Sequence, residues 1–132
     1  MFIAATIALS MSTPLAPQTV APNWRLSSRA RGIEAYINLN TVSPTPDGNR
    51  ITFWREIRYP EPLSFSDGRR YNRIRSLLTI DCKALTIQTL ISHALMGEKL
   101  IVNVPRDDPA EPVAAGSTAM SDLHAVCHDI WP

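Results

Sequence analysis

Apolar positions recur along this chain with two periods, and the change of period divides it. Between Asn23 and Val104 alternation dominates. Ile33, Ala35 and Ile37 fall on one side of a strand and Glu34, Tyr36 and Asn38 on the other, because successive side chains of extended backbone point to opposite faces. Over Arg50 to Tyr59, Ile51, Phe53, Ile57 and Tyr59 alternate with Thr52, Trp54, Glu56 and Arg58. From Tyr71 to Cys82, Ile74, Ser76, Leu78, Ile80 and Cys82 share one face, and Tyr71, Arg73, Arg75, Leu77, Thr79 and Asp81 the other. Arg55 interrupts the apolar side of its strand. A long cationic side chain can pack its stem and keep its head wet, so Arg55 is expected where that face runs out to solvent. Beyond Gly116 the period lengthens: Met120, Leu123, Val126, Cys127 and Ile130 repeat as one helical stripe within Ser117 to Trp131. Ser117 or Thr118 can cap that helix, and Asp122 suits the positive end of its dipole.

Shorter segments complete the pattern. Asn23 to Ser27 opens as a strand anchored by Trp24, and Arg31-Gly32 makes a turn. Pro44-Thr45-Pro46-Asp47-Gly48-Asn49 is dense in turn formers and predicts a hairpin. Pro60 to Gly68 reads as a loop. Leu85 to Leu95 fits helix or strand by period alone, and β-branched Thr86, Ile87, Thr89 and Ile91 favour a strand paired to the Tyr71 to Cys82 strand. Lys99 to Val104 makes a further strand ended by Pro105, and Arg106 to Gly116 a crossing loop. The expected fold is α+β: an antiparallel sheet of about six strands with a C-terminal helix packed on one face.

With 132 residues, 45% apolar and 19% charged, the chain suits one globular domain, placed at 22–132. Met1 to Ala21 differs: an uncharged apolar run, Phe2 to Leu9, precedes small and Pro-rich residues, the form of a signal-peptide-like segment too short to span a bilayer. A disordered tail is the alternative. Export makes one disulfide between Cys82 and Cys127 the simplest use of the two cysteines, two unrelated buried thiols being the other.

Local charge is uneven although the net charge is only +1. Arg55, Arg58, Arg69, Arg70, Arg73 and Arg75 outnumber Glu56, Glu61 and Asp67, whereas beyond Pro105 the acids Asp107, Asp108, Glu111, Asp122 and Asp129 face Arg106. Outward-pointing Arg58, Arg73 and Arg75 beside Trp54 and Tyr71 could form a basic, aromatic patch for an acidic protein, polysaccharide or lipid headgroup. A solvated sheet face explains the same residues.

Catalytic and metal chemistry find little support. Ser117, Asp122 and His124 lie on one short helix with no glycine-flanked elbow, and Asp107-Asp108 lie in a loop with no pocket to raise a pKa. His124 and His128 have a chelating spacing, but a zinc site needs three or four ligands and Cys127 has another use. No metal site, cofactor, nucleic-acid motif or enzymatic activity is predicted.

Trp24, Ala35-Tyr36-Ile37-Asn38, Phe53-Trp54, Ser76, Asp81-Cys82, Gly116-Ser117 and Val126-Cys127 occur in an order that resembles the surface-adhesin protein E family of small bacterial envelope domains, across roughly residues 22–131. The resemblance implies a sheet whose concave side receives the C-terminal helix, pinned there by the cysteine pair. It also implies a periplasmic or cell-surface location and, for the family's namesake, adhesion to host proteins. The expected function is an exported, non-catalytic binding module whose partner is a protein, host matrix protein included, or an acidic surface ligand. The alternatives are a periplasmic accessory or inhibitor domain and a small metal-dependent or hydrolytic enzyme.

Overall fold

The computed structural model describes residues 21–130, so the leader reading of Met1 to Ala21 falls, but for Ala21, outside the described residues. Eight strands form one antiparallel sheet: β1 (Trp24–Ala30), β2 (Ile33–Asn38), β3 (Ser43–Pro44), β4 (Arg50–Ser64), β5 (Arg70–Asp81), β6 (Thr86–Met96), β7 (Lys99–Pro105) and β8 (Glu111–Pro112). Six lie in the order β1-β2-β4-β5-β6-β7, with the two-residue β3 on β4 and β8 on β6. The helix α1 (Thr118–His124) follows and continues as a π-helical turn, Ala125–Ile130.

The spine is the pair β4 and β5. At about 3.3 Å per residue, β4 runs roughly 50 Å, and it extends through Pro60, Glu61 and Pro62 where a loop was expected. Its ladder with β5 slips between Arg58 and Leu63, so the prolines occupy an irregular stretch in which a missing N–H is tolerated. The true turn between β4 and β5 is short: Phe65 N–H bonds to the Arg69 carbonyl and Gly68 N–H to that of Phe65.

β1 and β2 join through Arg31 and Gly32, both at positive φ (54° and 78°), the mirror-image turn whose twist matches paired strands. Gly32 is required twice over, because a Cβ there would lie 3.3 Å from Pro60 Cγ. The ambiguous Leu85 to Leu95 stretch is β6, paired to β5. In place of a plain crossing loop, the chain before α1 forms the short strand β8.

The inner face is set by the parity read from the sequence. Ile37, Ile51, Phe53, Leu78 and Ile80 pack against Leu123 and Val126 of the helical segment. Ser117 caps α1, its Oγ accepting from Met120 N–H at 3.2 Å and donating to the Ala114 carbonyl at 2.6 Å. Cys82 and Cys127 form a disulfide across a Cα separation of 5.8 Å, fastening the last segment to the end of β5.

Two expectations fail on this inner face. Arg55 does not run out to solvent: its Nη1 donates to Asp122 Oδ2 at 2.7 Å, under the helix. Asp122, expected to serve the positive helix end, lies beyond the first turn of α1 and is fully buried, with Arg55 as its partner. A cation on the core parity of β4 is retained because a carboxylate arrives from the packed helix to pair with it.

Candidate functional site

The face opposite the helix is organised by register. Tyr36 of β2, Glu56 of β4, Arg75 of β5 and His93 of β6 stand opposite one another in turn, forming one row across the sheet. The next row holds Glu34, Arg58 and Arg73. Alternation sends these side chains outward together, and adjacent strands place their functional groups within bonding reach.

Glu56 is the centre of this network, and it is completely buried although it lies on the outer face. Its Oε2 accepts from Arg58 Nε at 2.6 Å and its Oε1 from Arg75 Nε at 2.7 Å, with Arg73 Nη1 3.9 Å away. Glu98, on the β6–β7 turn, accepts from Arg73 Nη1 at 2.6 Å and from Arg75 Nη2 at 2.9 Å. Burial is the largest single influence on Arg75 and opposes its charge, but its hydrogen bonds to Glu98 and Glu56 together hold its pKa above the ordinary guanidinium value. The bond from Arg75 is likewise the main reason that the Glu98 carboxyl is held below its usual range. The three arginines are therefore tied to two carboxylates, so the basic patch expected from the sequence takes the form of a largely charge-paired network.

Beside this network the face opens into a cleft of about 680 Å³, bordered by Trp24, Trp54, Arg58, Arg75, His93 and Glu98 among others. Trp54 and His93 meet across the intervening strand β5, with ring centroids 5.3 Å apart. The Arg75 guanidinium lies 5.6 Å from the Trp24 ring, and that of Arg58 lies 4.0 Å above Tyr36. Trp54 N–H, at the gap between β2 and β3, is bonded by Thr41 Oγ1 at 3.0 Å, which holds the floor of the cleft in place.

Of the expected contact residues, Trp54, Arg58 and Arg75 come together at the cleft, and Arg73 joins through Glu98. Tyr71 does not: it packs on Phe65 at 4.5 Å and edge-on against Tyr59 at 6.3 Å, in a separate aromatic cluster near the β4–β5 turn. His93, Trp24 and Glu98 were missed. The register of β5 with β6 would have found His93, since it is the residue opposite Arg75.

The residues weighed for chemistry are engaged elsewhere. Ser117 caps α1 and Asp122 pairs with Arg55 and Ser27. The His124 and His128 rings lie 5.5 Å apart, but Cys127 is bound to Cys82, and among the described residues no group of three His, Cys, Asp or Glu could hold a metal. No described helix is long and apolar enough to cross a membrane.

The family model described as surface-adhesin protein E matches residues 24–128. A crystal structure of Haemophilus influenzae protein E, crystal form II, superposes with a TM-score of 0.57 at 10% sequence identity, covering 82% of this chain and 94% of that one. No curated protein matches.

Proposed function

Since the chain belongs to the surface-adhesin protein E family, we propose that it is an exported envelope module that binds a partner through the outer sheet face, at the cleft between Trp24 and Trp54. The partner is a host matrix protein or an acidic surface ligand. One observation carries this reading: the helix covers one face of the sheet, while the other presents two half-buried indoles whose arginine neighbours are already held in position by Glu56 and Glu98. Aromatic side chains and fixed guanidinium groups supply most of the energy at protein contact surfaces, and prior fixing lowers the entropy lost on binding. The disulfide and the buried Arg55–Asp122 pair support the same role, since they keep the platform rigid from behind.

The test is binding of purified mature protein to immobilised matrix proteins. Trp54→Ala combined with His93→Ala is expected to weaken binding at least tenfold, as loss of a central aromatic contact does. Lys83→Glu, beyond the end of β5, is the control and leaves binding unchanged. Equal binding by the cleft variant and the native protein refutes the outer-face reading. Export is tested separately by fractionation and by protease accessibility on intact cells.

A further inference from the structure

The composition of the cleft narrows what can occupy it. Its floor lies over β5 and β6, paired on both sides, and over β4, where the gap between the β2 and β3 pairings is closed at Trp54 N–H by Thr41 Oγ1. A peptide that docks in extended form needs an open strand edge for its N–H and C=O groups, and the floor of the cleft has none to offer, the edge strand β1 reaching it only through its first residue, Trp24. Recognition there must come from side chains.

Those side chains offer ring faces and guanidinium edges. Trp24, Trp54 and His93 line the cleft. Arg58 is held to Glu56 through Nε alone, and Arg75 to Glu56 through Nε and to Glu98 through Nη2. Both Arg58 terminal nitrogens and Arg75 Nη1 therefore have no hydrogen-bond partner among the described residues. Arg58, Arg73 and Arg75 set against Glu56 and Glu98 leave the network one positive charge in excess. Although Glu98 is 74% exposed at the rim, both its oxygens are occupied by arginine, so it does not bar an anion.

We propose that this cleft binds an acidic oligosaccharide, with a pyranose ring laid on the indole faces and its carboxylate or sulfate held by the open N–H groups of Arg58 and Arg75. The inference rests on the reading of the outer face as the recognition surface. A pyranose has an apolar C–H face that suits an indole and a polar rim that suits a wet, open cleft. The planar guanidinium fork matches the paired oxygens of carboxylate and sulfate. A cationic ligand would meet a surplus of positive charge. A purely apolar one would strip water from the open N–H groups without replacing it.

The experiment titrates the intrinsic tryptophan fluorescence of the mature chain with a heparin hexasaccharide, a hyaluronan hexasaccharide, neutral maltohexaose and poly-L-glutamate. An acidic saccharide is expected to bind at least tenfold more tightly than maltohexaose or poly-L-glutamate. Tighter binding of heparin assigns the anion as sulfate, and of hyaluronan as carboxylate. Trp54→Ala should weaken that binding roughly tenfold in a protein whose far-ultraviolet spectrum shows it still folded. Trp24→Ala, at the start of the edge strand, provides the second variant. Absence of saturable saccharide binding overturns the proposal, as does equal binding of poly-L-glutamate or indifference to both tryptophan substitutions. Each of these failures leaves the matrix-protein result above untouched, so the two readings fall separately.

Discussion

Arg55 and Asp122 meet under the helix at 2.7 Å, with the Asp122 side chain fully buried and that of Arg55 only 15% exposed. Ser27 Oγ donates to the other Asp122 oxygen at 3.2 Å, so three elements, β1, β4 and α1, converge on one carboxylate. The Arg55 Nε is buried with no partner. Removing one member of such a pair leaves an uncompensated charge in the core. Arg55→Leu is therefore expected to lower stability by about 3–5 kcal/mol in urea denaturation. The double change Arg55→Leu with Asp122→Leu should recover most of that loss, because it removes both desolvation costs. A double variant no more stable than the single one would show that the pair is worth more than its replacement.

The same carboxylate gives a pH dependence of unusual sign. Burial raises the Asp122 pKa above its ordinary value, against the opposing pull of Arg55 and Ser27. The folded state then holds this proton to a higher pH than the unfolded chain, whose Asp titrates near 3.9. The group's contribution is most favourable below that value and is lost as pH rises through the folded pKa. Native protein should accordingly gain stability relative to Asp122→Asn when pH falls from 7 toward 4. Paired denaturation curves at a series of pH values measure this, and the opposite trend would mean that the Arg55 charge prevails over burial.

Reduction of Cys82–Cys127 releases a connection across 45 residues. Loop-closure entropy puts the loss at about 4 kcal/mol, a substantial part of the roughly 5–15 kcal/mol of a typical domain. Cys82→Ala with Cys127→Ala should lower the urea midpoint accordingly. Because Leu123 and Val126 remain in the core, the helix should stay docked at low denaturant, with its far-ultraviolet signal preserved.

The strands were legible because alternation is a local signal, and the inward set Ile37, Phe53, Leu78 and Ile80 follows from it directly. The disulfide was legible from having only two cysteines to place. The outer-face network was not, because it depends on which residue stands opposite which. Glu56 meets Arg75 only once the β4–β5 turn is known to be short, and Pro60 and Pro62 suggested a long loop there. Glu98 carries no local sign of a partner, yet the β6–β7 hairpin brings it back over Arg73 and Arg75. Arg55 misled for a related reason: its partner lies 67 residues away, and no local pattern announces it.

Arg31 occupies the left-handed region at φ 54° in the β1–β2 turn, where a side chain other than Asn or Gly is strained. It is exposed, so a substitution there disturbs no packing. Arg31→Asn is expected to raise stability by about 1 kcal/mol, the order of the steric cost relieved. A rise in the urea midpoint with an unchanged slope checks this. Gly32→Ala should do the reverse, since Ala adds strain at φ 78° and crowds Pro60.

Glu56 and Glu98 bond the same arginine from opposite ends, and their surroundings set very different consequences for losing each. Glu56 is buried between Arg58 and Arg75, both themselves mostly covered, whereas Glu98 is 74% exposed. Glu56→Gln keeps the shape but leaves the half-buried Arg58 guanidinium without its carboxylate and Arg75 with Glu98 alone, and is expected to cost about 3 kcal/mol. Glu98→Gln breaks only exposed pairs and should cost less than about 1 kcal/mol. The two can be read in one experiment, because Arg75 stacks on Trp24 and Trp54 borders the same cleft. Glu56→Gln should change the tryptophan emission of the folded protein as well as its urea midpoint, while Glu98→Gln should leave the midpoint nearly unmoved. Equal losses for the two substitutions would mean that water reaches Glu56 in solution, and that the arginines are held by the rim of the face instead of by its buried centre.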